Sequence, residues 1–278
     1  MLSALAADRA RIADLDAQIQ DLERSLSMLQ SERSLAQGRL DAYNYPVLTL
    51  PNEIVCGIFT HFLPIYPNCP PLTGPFSPIL LTHICRGWRK MALSFPALWR
   101  AIEISWNRTA PDLVFAVLSR SGFCPLSIRM DGPELNPDLD HYGPRLLAAA
   151  VSHCARWEYL TLHLSPHVPN TDYPRIDGPV PLLQHLDLWL GGSSSPIVAL
   201  PSGAPLLRTA VLDDHAAAKV ILPWMQLTSL TLTIIYLHEC VPILQKTSNL
   251  VNCVLELVDS DDVVDDGAVT LPSLVTLT

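Results

Sequence analysis

Leucine and isoleucine recur every seventh residue along the first 42 positions, with polar residues between them. One series contains Leu5, Ile12, Ile19, Leu26 and Leu40, and a second follows three residues later at Leu15, Leu22 and Leu29. Asp8 and Arg33 interrupt the two series. The spacing predicts a long amphipathic helix over residues 1–42 with the seam of a coiled coil. Two partners could cover this apolar stripe: a second copy of the chain, in a homodimer through residues 1–42, or the chain's own domain, on which the helix would dock.

Residues 43–99 predict a small helical domain. Pro51 suits a helix start, where the N–H that proline lacks would be unpaired anyway. Apolar residues then follow at spacings of three and four: Ile54, Val55, Ile58, Phe59 and Phe62. Residues 64–78 contain six prolines and predict a loop. A second helix is predicted over residues 79–95, with one side formed by Leu80, Ile84, Trp88 and Met91.

Residues 100–278 repeat a weak apolar template. In each unit, an apolar residue is followed by two residues of any type and then by apolar residues at every second position. The units start at Trp99, Phe123, Trp157, Leu183, Leu207, Leu227, Leu250 and Leu274. Alternation predicts a short strand with one buried face in each unit. Helix-capable stretches lie between several units, at residues 110–122, 144–155 and 239–248.

One strand and one helix or turn per 20 to 29 residues is typical of leucine-rich repeats. We therefore predict an α/β fold: a coiled-coil-like N-terminal helix, a small helical domain, and an irregular leucine-rich-repeat-like solenoid over residues 100–278. The last unit ends at Thr278 without a polar capping repeat. We expect a truncated C-terminus, or an end that lies within an assembly.

Several short motifs in the middle segment occur together. They are Leu50-Pro51-x-Glu53-Ile54, Ile58-Phe59, Ile84-Cys85-Arg86-x-Trp88 and Pro96-x-Leu98-Trp99. Over residues 46–100 the chain resembles an F-box domain, especially the F-box-like proteins numerous in mushroom-forming (basidiomycete) fungi. The proline-rich insertion at 64–78 is longer than the turn that most F-boxes have there.

The resemblance implies docking on a Skp-type adaptor, which links F-box proteins to a cullin–RING ubiquitin ligase, while a C-terminal repeat domain binds a protein substrate. The residues carried over as adaptor-binding are Leu50, Pro51, Ile54, Ile58, Phe59, Ile84, Cys85 and Trp88. A domain of about 50 residues buries too little surface to cover such a face alone. The alternative is a protein-interaction scaffold without ubiquitin chemistry, in which the helical segment only caps the solenoid.

Composition narrows the classes of function. Hydrophobic residues make up 49% of the chain and charged residues 16%, against about 25% charged in typical domains. The net charge of −9, without a basic block, argues against nucleic-acid binding. No apolar run reaches the roughly 18 residues of a membrane span. The seven cysteines show no CxxC pair, so we expect an intracellular protein, cytoplasmic or nuclear, with reduced thiols.

Motifs for catalysis, cofactors or metals are missing from the sequence, which contains neither a phosphate-binding loop nor a nucleophile elbow. His163 and His167 flank a proline in a strand-to-loop stretch, so they do not share a helical face as zinc ligands would. The acidic run at 259–266 lacks the glycine bend and late glutamate of a calcium loop. The stretch at 191–196 reads as a flexible loop. We expect a non-catalytic subunit with no cofactor and no metal.

Overall fold

The computed structural model describes residues 2–42, 46–106, 109–132, 143–164, 174–191, 198–200, 203–258 and 269–278. Contacts divide the chain into two compact units, Met1–Pro51 and Asn52–Thr278. The chain is α/β, with a long N-terminal helix and a parallel sheet of eight strands. The three-domain division at residues 42 and 99 stays a prediction.

The first unit consists mainly of helix α1, Leu2–Ala42, followed by a 3₁₀ turn at Pro46–Thr49. Exposed ion pairs join Arg11 to Asp14 at 3.0 Å and Arg24 to Asp21 at 2.9 Å along the surface of α1. Surface pairs of this kind stabilise a helix by only a few tenths of a kcal/mol. The leucines and isoleucines of the predicted seam are all exposed.

The second unit begins with three helices and a turn. Helix α2 spans Asn52–Phe62 and starts directly after Pro51, as predicted. Helix α3 spans Pro78–Ile84, α4 spans Arg86–Leu93, and a 3₁₀ turn follows at Pro96–Trp99. The side chain of Ser77 accepts a 3.1 Å hydrogen bond from the Ile79 backbone N–H and so caps α3. Residues 63–77 form no helix, in agreement with the loop predicted from their prolines.

The predicted single helix over 79–95 is wrong, because the backbone leaves the helical conformation at Cys85, with φ −156° and ψ 169°. The Cys85 Sγ accepts a hydrogen bond from the Trp88 backbone N–H at 3.3 Å, so Cys85 caps a new helix. Local side-chain bonds of this kind offer the backbone an alternative to helix, and Gly87 weakens helix propensity further. The break separates Leu80 and Ile84 from the helix that carries Trp88.

Eight strands form one sheet in chain order, each pairing in parallel with the next. They are β1 Ala101–Ser105, β2 Leu126–Asp131, β3 Trp157–Leu164, β4 His185–Leu190, β5 Thr209–Asp213, β6 Ser229–Ile235, β7 Asn252–Leu257 and β8 Thr276–Leu277. Burial alternates along most strands, as in β1 and β3. The alternation predicted for one buried face is therefore confirmed.

The register follows the template in most of the sheet. Leu160, Leu186, Ala210, Leu230, Cys253 and Leu277, all at the fourth template position, pair in succession from β3 to β8. The predicted start of the second repeat unit is wrong by two residues, since Ile102 pairs with Ile128 instead of Leu126. Its predicted first residue, Phe123, is 99% exposed. A slip of two residues keeps the same strand face buried, so alternation alone cannot detect it.

Helices and turns connect the strands. The helices are α5 Pro111–Arg120, α6 Gly143–Val151, α7 Asp214–Lys219 and α8 Leu237–Leu244. Helix α5 lies within its predicted stretch, α6 and α8 overlap theirs but start one and two residues earlier, and α7 was not predicted. Two parallel bridges, Ile176 with Val198 and Ala199 with Ile221, link consecutive connections. The main core lies between the buried sheet face and these connections, and includes the tryptophans Trp99, Trp106 and Trp157.

Candidate functional site

Helix α2 divides its apolar residues between the core and the surface. Val55 and Phe59 are buried, whereas Ile54 is 53% exposed and Ile58 is 39% exposed. All four follow the helical spacing that predicted a single apolar face. The exposed isoleucines are therefore not covered by the described residues of the chain.

Phe59 and Trp88 form the contact between α2 and α4. Their ring centroids lie 5.0 Å apart at an interplanar angle of 67°, an edge-to-face arrangement. Such aromatic pairs contribute roughly 0.5–1.5 kcal/mol beyond the area that they bury. Of the eight residues carried over as adaptor-binding, Phe59 thus lies in the core, and Trp88 and Cys85 are half-buried.

The remaining members of that set are exposed. Ile84 is 55% exposed at the end of α3, where Leu80 is also exposed. Leu50 and Pro51 are exposed and belong to the first compact unit. The structure brings Phe59 and Trp88 together and leaves Ile54, Ile58 and Ile84 as apolar surface.

The proline-rich insertion packs against the sheet. Ser127 Oγ on β2 donates a 2.6 Å hydrogen bond to the carbonyl oxygen of Pro67. Tyr66 Oη donates a 2.6 Å hydrogen bond to Glu158 Oε2 on β3, and the Arg100 guanidinium lies 3.8 Å from the centroid of the Tyr66 ring. These contacts hold the insertion on the strands that follow it in the sequence.

Two cavities border this insertion. One, of about 530 Å³, lies between the end of α2 and the start of β1, with Thr60, Tyr66 and Arg100 among its lining residues. The other, of about 260 Å³, is lined by Pro71–Thr73 of the insertion and by Glu103 and Asp131 of the sheet. The second cavity therefore has carboxylates of neighbouring strands on one wall.

A charged cluster crosses the open face of the sheet at Asp131, His163 and Asp187, on β2, β3 and β4. His163 Nδ1 lies 3.3 Å from Asp131 Oδ1, and its Nε2 lies 3.3 Å from Asp187 Oδ1. Arg129 Nε makes an ion pair of 2.9 Å with Asp131 Oδ2. The Trp189 ring lies beside His163, with centroids 5.6 Å apart. Neighbouring strands thus place both signs of charge next to an exposed indole.

The cluster fixes the charge of His163. Partial burial opposes protonation, but hydrogen bonding to Asp131 and Asp187 outweighs it and raises the pKa of His163 to about 9. Hydrogen bonding to His163 in turn lowers the pKa of Asp131. At neutral pH the imidazole is therefore a cation held between two carboxylates, and both ring nitrogens serve as donors.

Within the described ranges, Asp213, Asp214 and His215 have ligand atoms close enough to share a metal ion. Asp213 is engaged elsewhere, because its carboxylate accepts hydrogen bonds from the backbone N–H groups of Leu190 at 3.0 Å and Ala216 at 2.8 Å. The second bond caps α7, and the first joins the end of β5, where Asp213 lies, to β4. This arrangement is structural in its geometry, and we assign no metal to it.

Other predicted features lie outside the described residues. They are His167, the acidic run at 259–266, and residues 192–196 of the predicted flexible loop.

Sequence reasoning missed the cluster on the open sheet face and the role of Tyr66. His163 was considered only with His167, four residues away, whereas its partners lie 32 and 24 residues away on adjacent strands. The template could have found both carboxylates, since Asp187 occupies an outward position of a predicted strand and Asp131 directly follows one. Their proximity to His163 required the register, in which Asp131 pairs with His163 and Thr161 pairs with Asp187.

No protein-family model matches this chain, and the curated proteins include no match to its sequence. Among the described helices, none combines the length and the apolar character that a membrane crossing requires.

Proposed function

We propose that the protein is a substrate-recognition subunit of a Skp–cullin–F-box type ubiquitin ligase. In this proposal the helical segment docks on a Skp-type adaptor, and the sheet belongs to a leucine-rich-repeat-like solenoid that binds a protein substrate. The chain contributes no catalytic residues, and ubiquitin transfer belongs to the ligase that it joins. The resemblance of residues 46–100 to an F-box motivates the assignment.

The observation that carries the proposal is the divided face of α2. Burying one isoleucine side chain fully is worth about 1.5–3 kcal/mol, so Ile54 and Ile58 leave a large part of that free energy unrealised in the isolated chain. An adaptor that covers Ile54 and Ile58 would gain this free energy on binding. Phe59 and Trp88, which the resemblance also assigns to the adaptor, support the same surface from beneath by fixing α2 on α4.

The open sheet face supports the substrate-binding half of the proposal. It presents Arg129 and His163 as cations, Asp131 and Asp187 as anions, and the partly exposed Trp189. Interfaces that discriminate between partners combine charged groups of both signs with aromatic anchors. A folded protein substrate or an extended peptide with complementary charges would find these groups on adjacent strands.

A second candidate function, the interaction scaffold, is favoured by a different observation. The helical segment and its insertion are fastened to the sheet through Tyr66 and Ser127, and Trp99 Nε1 donates a buried 2.8 Å hydrogen bond to the Ala92 carbonyl oxygen. The first two contacts suit a segment that caps the N-terminal part of the sheet, at β2 and β3. They leave Ile54 and Ile58 without an explanation, and we therefore rank the scaffold second.

Co-elution of the purified chain with a fungal Skp-type adaptor on a size-exclusion column tests the adaptor assignment. We expect wild-type protein to bind, and the double variant Ile54→Asp with Ile58→Asp to lose binding, because two carboxylates would enter an apolar interface. Phe59 is unsuitable for this test, since charging a buried residue would unfold the domain. Phe115→Asp, at an exposed position of α5, is the matched control and should bind as wild type does. Absence of wild-type binding, or unchanged binding by the double variant, would exclude the F-box function and leave the scaffold.

Proximity labelling after proteasome inhibition tests the substrate face. Proteins labelled by the wild-type chain but lost with Trp189→Ala are the expected substrates, while Phe115→Ala should label the same set as wild type. Identical sets from all three chains would show that the open face around Trp189 does not select the partner.

A further inference from the structure

Helix α1 presents an apolar seam that no described residue covers. Leu5, Ile12, Leu15, Ile19, Leu22, Leu26 and Leu29 are all exposed along it. A helix with this many exposed apolar side chains is stabilised chiefly by packing its seam against another helix.

The charged residues that interrupt the seam lie symmetrically about its middle. Asp8 occupies the second series, and Arg33 occupies the first, one heptad after Leu26. Within the described part of the chain neither one has an ion-pair partner. They carry opposite charges and sit at opposite ends of α1, so an antiparallel second copy can place each one against the other.

We propose that a second copy of this chain packs antiparallel against α1, with Asp8 of each copy facing Arg33 of the other. In this register the numbers of facing residues add up to 41. Members of the first series then face members of the second, as the a and d positions of an antiparallel coiled coil must. The inference does not depend on the adaptor-binding function.

The same register makes the remaining seam layers apolar. Ile12 faces Leu29, Leu15 faces Leu26, and Ile19 faces Leu22, each twice by symmetry, while Leu5 faces the small Ala36. A slide of one heptad in either direction would set Asp8 against Leu26 or Leu40. Such a slide leaves a seam charge without its counter-charge, which costs free energy on burial.

A parallel dimer would place Asp8 against Asp8 and Arg33 against Arg33. Like charges in the seam repel, so the parallel pair is disfavoured at both ends of the helix. The exposed flanking positions do not decide between the two. The antiparallel pair brings Arg11 near Glu32 but Asp16 near Glu23, whereas the parallel pair brings Arg11 near Asp16. Exposed pairs contribute little, and the seam layers therefore set the orientation.

Charge exchange in the full-length chain tests the orientation by sedimentation velocity. We expect wild-type protein to dimerise, and Asp8→Arg and Arg33→Asp to raise the dimer dissociation constant about tenfold or more, because two attractive layers become repulsive. The double variant Asp8→Arg with Arg33→Asp restores both pairs and should return the constant to within about threefold of wild type. Since both positions are exposed on α1, the variants leave the fold of the second unit unchanged.

Other outcomes would overturn the proposal. Wild-type monomer at all accessible concentrations would exclude the dimer. Single variants that dimerise as wild type does would indicate a parallel pair or another surface, and a double variant that stays weakened would exclude direct contact of the two positions. Asp8→Leu distinguishes the two orientations by the direction in which the dimer dissociation constant changes. It lowers the constant of a parallel dimer by removing the repulsion between the two Asp8 side chains, and raises that of an antiparallel dimer by leaving Arg33 unpaired.

Discussion

The hydroxyl group of Tyr66 donates a hydrogen bond of 2.6 Å to Glu158 Oε2, which joins the proline-rich insertion to β3 across 92 positions of the chain. The Tyr66 ring also meets Tyr159 edge-on, with centroids 5.6 Å apart. Burial, followed by the hydrogen bond to Glu158, raises the pKa of Tyr66 far above its ordinary value. The hydroxyl therefore keeps its proton throughout the neutral range and remains a donor to the carboxylate.

Replacing Tyr66 by phenylalanine should lower the free energy of unfolding by about 1.5 kcal/mol. Hydrogen bonds to charged groups contribute about 1.5–3 kcal/mol, and partial exposure places this one at the lower end. Urea denaturation followed by circular dichroism measures the change. Tyr159→Phe is the matched control, because the Tyr159 hydroxyl makes no hydrogen bond within the described residues. Equal loss in both variants would mean that the Tyr66 hydroxyl contributes nothing specific.

Truncating side chains of α2 to alanine should destabilise the protein more at a buried position than at an exposed one. Phe59→Ala should destabilise the protein by about 3–5 kcal/mol, since it removes a fully buried ring and its edge-to-face contact with Trp88. Ile58→Ala should cost less than about 1 kcal/mol, because its side chain is already partly in water. Thermal unfolding of both variants measures the difference, and similar losses would show that Ile58 is packed after all.

His163 and His185, both on the open face, should titrate on opposite sides of the ordinary histidine pKa. His163 should lose its proton near pH 9, whereas burial lowers the pKa of His185. Asp187→Asn should lower the pKa of His163, because it removes one of the two carboxylates that hold the imidazolium. Imidazole proton shifts in NMR spectra over pH 5 to 10 follow each ring. A value for His163 that Asp187→Asn leaves unchanged would contradict the assigned pairing.

The same shift predicts a dependence of stability on pH. Because the folded-state pKa of His163 is raised above the unfolded value of about 6.5, folding favours the protonated ring. Its contribution is complete below about pH 6.5 and is lost as the pH rises through about 9. His163→Gln should remove this part of the decline in unfolding free energy between those values. Parallel pH profiles for wild type and variant would contradict the prediction.

Asp213→Ala should destabilise the protein by roughly 2–4 kcal/mol, since it removes the α7 cap and leaves the buried Leu190 N–H without its acceptor. Asp214→Ala should cost well under half as much, because the Asp214 carboxylate bonds mainly to the adjacent His215. Urea denaturation compares the two, and equal losses would show that the hydrogen bonds of Asp213 are not the source of its contribution.

The strands were predictable because alternation is a local property of the sequence. Each strand buries every second side chain, and the apolar residue three positions earlier marks the start of most units. The predicted start of the second repeat unit, Phe123, is wrong because a proline, Pro125, occupies the true first position. A template based on apolar residues passes over it and takes the nearest aromatic residue.

Features that depend on distant contacts were not predictable. Helical spacing groups Ile58 with Phe59, but only the position of α4 decides that Phe59 is buried and Ile58 is not. The break at Cys85 coincides with a local side-chain hydrogen bond to the Trp88 N–H, in a stretch whose apolar periodicity continues. The fastening of the proline-rich insertion depends on Glu158 and Ser127, whose place beside Tyr66 and Pro67 follows from the register of β2 and β3.

Because each strand of the sheet pairs only with its neighbours in the chain, partners lie close in sequence. Facing residues are separated by as few as 20 positions, between Thr209 and Ser229, and by as many as 32, between Ser127 and Tyr159. During synthesis, every new strand therefore emerges with its partner already made, and the sheet can grow in the order of translation. The Tyr66–Glu158 hydrogen bond joins residues much farther apart in the chain than the strand partners are, and it can form as soon as β3 has left the ribosome.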